Sequence, residues 1–201
     1  MLQALYRNIA TPILDFIYPP LCFMCEQRMT NGERVVCSEC WSKLPQVYQD
    51  HQSWIEHIAR FKREGVVDDL ISAFLFEQEG MLQQVLHLLK YAGIKSLGVR
   101  LGRELGQRIV TNSKFASAAA LIPVPLHKLK QRERGYNQSF LICQGISEVT
   151  GIPINHSLTV RKKYTLTQTH LDYEQRKKNV GDAFSINPRS EERRVGKECR
   201  L

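Results

Sequence analysis

Two cysteine pairs constrain the N-terminal part of this chain more tightly than any other feature of its sequence. In "CFMCEQRMTNGERVVCSEC", Cys22 and Cys25 are separated by two residues, as are Cys37 and Cys40, and 11 residues lie between the pairs. A Cys-x-x-Cys turn directs two thiolates to one point, and two such turns provide the four sulfurs of a tetrahedral zinc site. The spacing therefore predicts a small zinc knuckle or ribbon.

Two other uses of the same cysteines are a disulfide pair and a redox dithiol. Disulfides are disfavoured in the cytoplasm, and a redox site needs one Cys-x-x-Cys motif rather than two. Zinc is therefore the favoured interpretation, with Cys22, Cys25, Cys37 and Cys40 as its ligands. Because sulfurs of the protein would occupy all four positions, we expect the metal to be structural and not catalytic. Cys143 lies in a predicted helix and is expected to be an ordinary buried thiol.

The segment before the cysteines, "MLQALYRNIATPILDFIYPP", has apolar residues spaced as on one face of a helix. It predicts an amphipathic helix over residues 1–20, ended by Pro19-Pro20. Arg7 and Asp15 interrupt any continuous apolar run, and no basic segment precedes it, so it is not typical of a signal peptide or a membrane span. We therefore expect a cytoplasmic protein without a membrane-spanning segment.

Composition and charge limit the classes of partner. With 201 residues, 43% of them hydrophobic and 24% charged, the chain is expected to form one full domain plus a small satellite, with a real core. The net charge of +8 favours anionic partners, such as nucleic acid, phosphorylated small molecules or an acidic membrane surface. General solubility is the plainer explanation of the same charge.

After the cysteines, the pattern alternates between strands and helices. "DLISAFLFEQ" predicts a strand, and "MLQQVLHLLKYAGIKSLGVRLGRELGQRIV" predicts two helices broken near Gly93. Residues 119–124 predict a buried strand, residues 137–150 a helix, and "GIPINHSLTVRKKY" another strand or two. This alternation is typical of an α/β domain with a parallel sheet, in which ligands bind beyond the carboxyl ends of the strands.

A cationic, turn-forming loop is predicted to follow the strand 119–124. In "IPVPLHKLKQRERGYNQSF", two prolines stiffen the exit from the strand, and Gly135 lets the backbone approach a ligand. Four cations lie between them: Lys128, Lys130, Arg132 and Arg134. With backbone N–H groups at the start of the next helix, they predict a phosphate or pyrophosphate cradle. The alternative is a solvated basic surface loop.

A second cationic segment, "RKKYTLTQTHLDYEQRKKNVGDAF", lacks a clean apolar period and predicts a mobile loop followed by a short helix. Together, residues 127–136 and 161–178 hold ten Lys and Arg against three acids. Because the two segments follow successive predicted strands, they favour a shared anion pocket.

These motifs, taken in order, resemble a known family. From about residue 12 to residue 186 the chain resembles the ComF family, competence-associated proteins with a phosphoribosyltransferase-type fold. It is similar, more distantly, to the type I phosphoribosyltransferase domain of amidophosphoribosyltransferases. The resemblance rests on the two Cys-x-x-Cys motifs, Trp41 with Leu44-Pro45, Lys90-Tyr91-x-Gly93, "PVPLHKLKQRERGYNQS", Arg161 with Thr165 and Gln168, and "RKKNVGDAF" with Arg176 and Asn179.

The predicted domain organisation starts with an amphipathic helix at 1–20 and a zinc module at 21–46, and it ends with an atypical, foreign-looking tail at 189–201. Between them, the resemblance implies a type I phosphoribosyltransferase-like α/β domain at 66–188. It also implies that the first cationic segment binds the pyrophosphate of Mg²⁺–phosphoribosyl pyrophosphate (PRPP) and that 161–176 closes over it. The residues assigned to the pyrophosphate side are Lys90, Arg134, Gly135, Asn137, Gln138, Arg161, Thr165, Gln168 and Arg176.

One part of the family pattern is missing. The family continues with an apolar strand ending in Asp-Asp and a Thr-Thr-Gly-type turn, which hold the ribose hydroxyls and the 5′-phosphate. Here "VGDAFSINP" is followed by "RSEERRVGKECRL", with five basic and three acidic residues in 13. Asp68 and Asp69 precede no glycine-containing phosphate turn. The parallel sheet is therefore expected to be incomplete at its C-terminal end, and this chain to be inactive in phosphoribosyl transfer.

Three functional hypotheses remain open. The first is a PRPP-binding, phosphoribosyltransferase-like protein of DNA uptake, with no catalytic residue assigned. The second is a zinc-containing module without enzymatic activity, which binds single-stranded DNA or a DNA-translocating competence ATPase. The third is a truncated remnant with no activity. Whether the protein is an enzyme is left open by the sequence.

Overall fold

The structure is a computed structural model, and it describes residues 18–29, 35–47, 51–63, 65, 68–164 and 183–187. The chain forms two compact units. The N-terminal unit comprises Met1–His57 and Phe74–Gln84, and the main unit comprises Ile58–Ala73 and Val85–Leu201. The predicted helix at 1–20, apart from its last three residues, and the predicted tail at 189–201 lie outside the described residues.

The N-terminal unit contains little regular structure. An antiparallel bridge joins Leu21 and Arg28, and a short helix, α1 (Ser38–Ser42), carries the second cysteine pair. The buried Trp41 ring meets the Phe74 ring edge to face, with centroids 6.3 Å apart. Where a strand was predicted at 69–78, the structure has one antiparallel bridge, between Gln46 and Phe74.

Helices α2 (Gln52–Arg63), α3 (Met81–Tyr91) and α4 (Lys95–Val110) follow. The predicted break near Gly93 is confirmed, because Gly93 has a φ of +74°, a left-handed conformation that favours glycine and ends α3. Val85, Leu88 and Leu89 are buried on one side of α3. Lys90 and Tyr91, at its end, are exposed. No helix in the described ranges is long and apolar enough to cross a membrane.

The main unit is built around an unusually close helix pair. Helix α7 (Gln138–Thr150), which confirms the helix predicted over 137–150, packs against α4 through glycines. A Cβ atom at Gly102 would lie 2.1 Å from the Ile142 carbonyl oxygen, and one at Gly145 would lie 2.0 Å from the Val99 carbonyl oxygen. The backbones of α4 and α7 therefore lie so close together at Gly102 and Gly145 that a residue larger than glycine does not fit there.

A core of Ile109, Ile146 and Ile152 lies beneath this pair, close to the short helix α5 (Ser113–Ala116). Leu121, which packs on that core, forms a parallel bridge with Ile154. The Leu121 N–H donates to the Pro153 carbonyl (2.8 Å), and the Asn155 N–H donates to the Leu121 carbonyl (2.9 Å). The two bridged segments flank α7 in sequence, as in a parallel crossover.

The remaining strands are short. Strands β1 (Thr159–Arg161) and β2 (Phe184–Ile186) pair antiparallel, with Val160 opposite Ser185. The prediction of a buried strand at 119–124 was wrong, because the segment forms a bridge at Leu121 rather than a strand, and Ile122 is 44% and Val124 58% exposed, with Pro123 the one buried residue of the six. The described strands are thus one antiparallel pair and one parallel bridge, and a complete parallel phosphoribosyltransferase-like sheet stays a prediction.

The cationic segment after Pro125 was expected to be a turn-forming loop, and this was wrong. Residues Lys128–Arg134 form a two-turn helix, α6. The His127 side chain caps its start by accepting a hydrogen bond from the Leu129 N–H (3.4 Å), and Gly135, with a φ of +77°, ends it. Both capping residues are present in the sequence, and Gly135 is the stronger signal of the two.

Candidate functional site

The four predicted zinc ligands come together in the N-terminal unit. The sulfur atoms of Cys22, Cys25, Cys37 and Cys40 all lie within 4.8 Å of one another, and the Cys25 and Cys37 sulfurs are 3.9 Å apart. A tetrahedral zinc with Zn–S bonds of about 2.3 Å places its sulfurs about 3.8 Å apart. The four side chains therefore fit one zinc ion.

Local backbone geometry explains this convergence. The Cys22 N–H donates to the Gln27 carbonyl (2.9 Å), and the Glu26 N–H donates to the Cys22 carbonyl (2.8 Å), which closes a tight turn around the first pair. Glu26 takes a left-handed φ of +58° to make that turn. Cys37 caps α1, and its sulfur accepts from the Cys40 N–H (3.4 Å).

The pKa values of Cys22 and Cys40 are shifted in opposite directions. Burial raises the pKa of Cys22, but backbone N–H donors from Cys37 (3.4 Å) and Met24 (3.5 Å) outweigh it and lower that pKa to about 6. Burial and the neighbouring sulfurs raise the pKa of Cys40 well above its usual range. One thiolate is thus favoured, whereas four thiolates at one point require a cation among them.

A second candidate site lies entirely in the main unit. It is a cavity of about 360 Å³ that lies between the end of α3, helix α6 and Tyr164. Its lining combines cations with aromatic rings: Lys90, Tyr91, Gly93, Lys130, Glu133, Arg134, Tyr136 and Tyr164. We call it the cationic pocket.

Helix α6 presents its cations to two opposite sides. Lys130 and Arg134, four residues apart, are half-buried and line the cationic pocket. Lys128 and Arg132, also four residues apart, are exposed and do not line it. The four cations, which looked equivalent in the sequence, therefore differ in position. We call Lys130 and Arg134 the pocket pair, and Lys128 and Arg132 the outer pair.

The pocket cations lie over aromatic rings. The Arg134 guanidinium is 5.9 Å from the centroid of Tyr91, and the Lys130 ammonium is 5.5 Å from that of Tyr164. Behind them, Tyr136 is buried and its hydroxyl donates to the Leu89 carbonyl. Among the residues that the structure describes, neither pocket cation forms an ion pair with a carboxylate.

The predicted pyrophosphate-side residues are only partly assembled here. Lys90 and Arg134 line the pocket, and Gly135 ends the helix that carries Arg134. Arg161 lies in β1, with its guanidinium 5.2 Å from the centroid of the Phe184 ring, and does not line the pocket. Three more of the predicted residues, Thr165, Gln168 and Arg176, lie outside the described residues.

Asn137 and Gln138 have structural environments of their own. Asn137 caps α7 by accepting from the Ser139 N–H (3.0 Å), and its amide donates to the Val124 carbonyl (3.0 Å). It thereby ties the start of α7 to the extended segment before α6. The Gln138 amide nitrogen is buried and has no hydrogen-bond partner within the described ranges. The ligand role predicted for these residues stays a prediction.

No functional role was predicted for the three pocket tyrosines, Tyr91, Tyr136 and Tyr164. Tyr91 follows Lys90, Tyr136 follows Gly135 and Tyr164 follows Lys163, so each aromatic residue stands beside a residue already singled out. Cations interleaved with aromatic residues are typical of sites for nucleic acid. This pattern was present in the sequence and was the signal that could have identified them.

The zinc site assigned to the N-terminal unit is supported by a match to a known protein family. Residues 13–51 match the family described as Double zinc ribbon domain. The six cysteines of the sequence include one set of four that meets at a point, Cys22, Cys25, Cys37 and Cys40. The match and the cluster together support a structural zinc.

Curated relatives cover most of the chain. Competence protein F of Haemophilus influenzae is 29% identical in an alignment of 174 positions that covers 83% of this chain and 69% of that protein. DNA utilization protein YhgH of Escherichia coli K12 is 25% identical in an alignment of 188 positions that covers 83% of this chain and 70% of that protein. YhgH of Salmonella typhi is 29% identical over 108 residues, and the match spans about half of each protein, 52% and 48%.

No solved structure matches the chain. The resemblance to ComF proteins is nevertheless confirmed by the named relatives, the zinc ribbon match and the four-cysteine cluster, and this chain is a homologue of proteins named Competence protein F and DNA utilization protein YhgH.

Proposed function

We propose that this protein acts in DNA uptake by binding a phosphate-bearing ligand in the cationic pocket. The names of the relatives, Competence protein F and DNA utilization protein, support the process. The observation that carries the proposal is the pocket pair, Lys130 and Arg134, which faces a cavity and has no carboxylate partner within the described part of the chain. Cations held this way bind anions strongly, because a carboxylate does not already neutralise them.

Pyrophosphate, as part of PRPP, is the first candidate ligand. Helix α6 follows the carboxyl end of the extended segment 119–124, where ligands bind in parallel α/β sheets. The parallel bridge of Leu121 with Ile154 across α7 supports a phosphoribosyltransferase-like arrangement as a proposal. Lys90, Lys130 and Arg134 would hold the pyrophosphate, and Mg²⁺ bound with PRPP would neutralise part of its charge. Glu133 is the one carboxylate among the described lining residues, so this lining suits an anion better than a metal of its own.

For these 201 residues we propose binding without phosphoribosyl transfer. The family's Asp-Asp strand and Thr-Thr-Gly turn have no counterpart in the sequence. The ribose hydroxyls and the 5′-phosphate of PRPP would then lack several charge-assisted hydrogen bonds, each worth roughly 1.5–3 kcal/mol. PRPP should therefore bind these residues no more tightly than pyrophosphate does.

A second candidate is a DNA-binding module that uses the same cations on single-stranded DNA, alone or with a DNA-translocating ATPase. The observation that favours it is the presence of Tyr91 and Tyr164 beside the pocket pair. A site for a sugar pyrophosphate alone has no evident use for exposed aromatic rings. In both candidates the zinc module has a structural role, since cysteines occupy all four ligand positions.

Calorimetric titration tests the proposal. Inorganic pyrophosphate should bind the wild-type chain, Lys130→Gln should weaken that binding at least several-fold, and Lys128→Gln, on the outer side of α6, should leave it unchanged. Mg²⁺–PRPP should bind no more tightly than pyrophosphate. Equal effects of the two lysine substitutions would show that the pocket is not the anion site, and micromolar PRPP binding would contradict the proposed loss of the ribose end.

A further inference from the structure

We propose that the cationic pocket takes one nucleotide unit of single-stranded DNA, with the base on an exposed tyrosine ring and the phosphate on the pocket pair. This inference rests on the proposed binding role of the pocket and adds the chemical class of its ligand. It starts from the tyrosines, which an anion site alone does not require.

Two of the three pocket tyrosines offer their rings to solvent. Tyr91 is 66% and Tyr164 49% exposed, although both line a cavity. Large exposed aromatic rings in a concave, polar setting favour a planar partner, because stacking removes apolar surface from water on both sides. Tyr136 differs from them, since it is buried and fixed by its hydroxyl to Leu89, and it forms a rigid wall of the pocket.

The cations are arranged so that base and phosphate can be bound together. Arg134 lies over the ring of Tyr91 and Lys130 over that of Tyr164, at 5.9 and 5.5 Å from the ring centroids. Both side chains are long and flexible, so each can turn from the ring towards a phosphate while a base takes its place over the ring. A single nucleotide supplies both a base and a phosphate.

Other ligand classes satisfy only half of this site. Pyrophosphate pairs with the cations but has no group to place over the tyrosine rings, and PRPP has no planar base to stack on them. Duplex DNA presents phosphates but keeps its bases stacked inside the helix, away from a ring in a pocket. A volume of about 360 Å³ suits one small ligand or one nucleotide of a strand rather than a duplex. The site therefore favours unpaired nucleotides.

An abasic strand separates the base from the backbone. The binding of a fluorescent thymidylate oligonucleotide is compared with that of an abasic oligonucleotide of the same length at low salt. Tyr91→Leu and Tyr164→Leu should each weaken thymidylate binding about ten-fold, within the range of one lost base–aromatic stack. Binding of the abasic strand and of pyrophosphate should change less than about two-fold. Tyr91→Phe, which keeps the ring, should bind as the wild type does.

Tyr18→Leu is the matched control, because Tyr18 is 78% exposed and belongs to the N-terminal unit. A thermal unfolding temperature equal to that of the wild type shows that a variant has lost the ring and kept the fold. If the two tyrosine-to-leucine variants weaken thymidylate and abasic binding equally, or weaken neither, the base-stacking inference is overturned. The proposed function would still stand in that case, provided that the wild type binds pyrophosphate. Failure of the wild type to bind pyrophosphate and both strands overturns the two together.

Discussion

The Arg134 guanidinium lies 5.9 Å from the centroid of the Tyr91 ring, which joins the end of α3 to the end of α6 across the cationic pocket. Arg134 forms no ion pair with an acidic side chain among the described residues. A cation over a ring face is stabilised modestly, by about 0.5–1 kcal/mol at an exposed site. An anionic ligand therefore competes easily for Arg134, which is why this pair is the structural basis of the proposed site.

The zinc module gives the first prediction. Purified protein should contain about one zinc per chain, and Cys37→Ser should lose it, because three sulfurs do not complete the tetrahedron and Cys37 also caps α1. Metal analysis measures the loss, and hydrogen exchange should show reduced protection at 21–29 and 35–47, with α4 and α7 unchanged. Cys143→Ala, at a buried cysteine in α7, is the control that keeps its zinc. A reduced, folded wild-type sample without zinc would contradict the assignment.

The helix pair of the main unit gives the second prediction. Gly102→Ala should lower the free energy of unfolding by about 1–3 kcal/mol or more, since its Cβ atom would lie 2.1 Å from the Ile142 carbonyl oxygen. Helix propensity alone predicts the opposite sign, a gain of up to about 1 kcal/mol. Denaturant unfolding distinguishes the two. Gln107→Ala, at an exposed position of the same helix, should have little effect. A Gly102→Ala variant as stable as wild type would show that α4 and α7 do not touch in this way.

The third prediction concerns pH. A hydrogen bond from the Leu70 N–H (2.9 Å), followed by the ion pair with Lys114 (3.1 Å), lowers the pKa of Asp69. A carboxyl whose pKa is lower in the folded state stabilises the fold above its unfolded pKa, and this contribution is lost as pH falls through the folded pKa. Asp69→Asn should therefore be less stable than wild type at neutral pH, and the difference should vanish in acid.

Asp68→Asn is the matched control for the pH series, because Asp68 is the exposed neighbouring carboxylate. Urea unfolding of both variants and wild type, measured from neutral pH downwards, gives the stability differences directly. A difference for Asp69→Asn that stays constant with pH would mean that the carboxylate charge is not the cause.

Features that depend on nearby residues could be predicted from the sequence. The four zinc ligands are set by two turns of fixed spacing, and the break between α3 and α4 is set by Gly93. Helix α7 begins at a side-chain cap, Asn137, and ends at a left-handed glycine, Gly151. In each case the signal lies within a few residues of the feature it specifies.

Features that depend on distant contacts could not be predicted so well. Nothing near Arg134 in the sequence indicates that it meets Tyr91, or that Lys130 faces inwards while Lys128 faces outwards. The contact of Gly102 with α7 also depends on a segment distant in sequence. The glycines at every fourth position of α4 do indicate that another element packs closely on that face of the helix. Helix α6 was missed because seven residues rich in cations carry little apolar periodicity.

The most direct test of the cationic pocket is the salt dependence of single-stranded DNA binding in two charge-matched double variants. Both remove two cations from α6, the pocket pair in Lys130→Gln/Arg134→Gln and the outer pair in Lys128→Gln/Arg132→Gln. The slope of log affinity against log salt should fall in magnitude by about 0.7 in the first variant, since the pocket pair holds one phosphate and each phosphate contact on a single strand contributes about 0.7. The second variant should keep the wild-type slope. Equal slopes for the two double variants would contradict a pocket that selects Lys130 and Arg134 for its ligand.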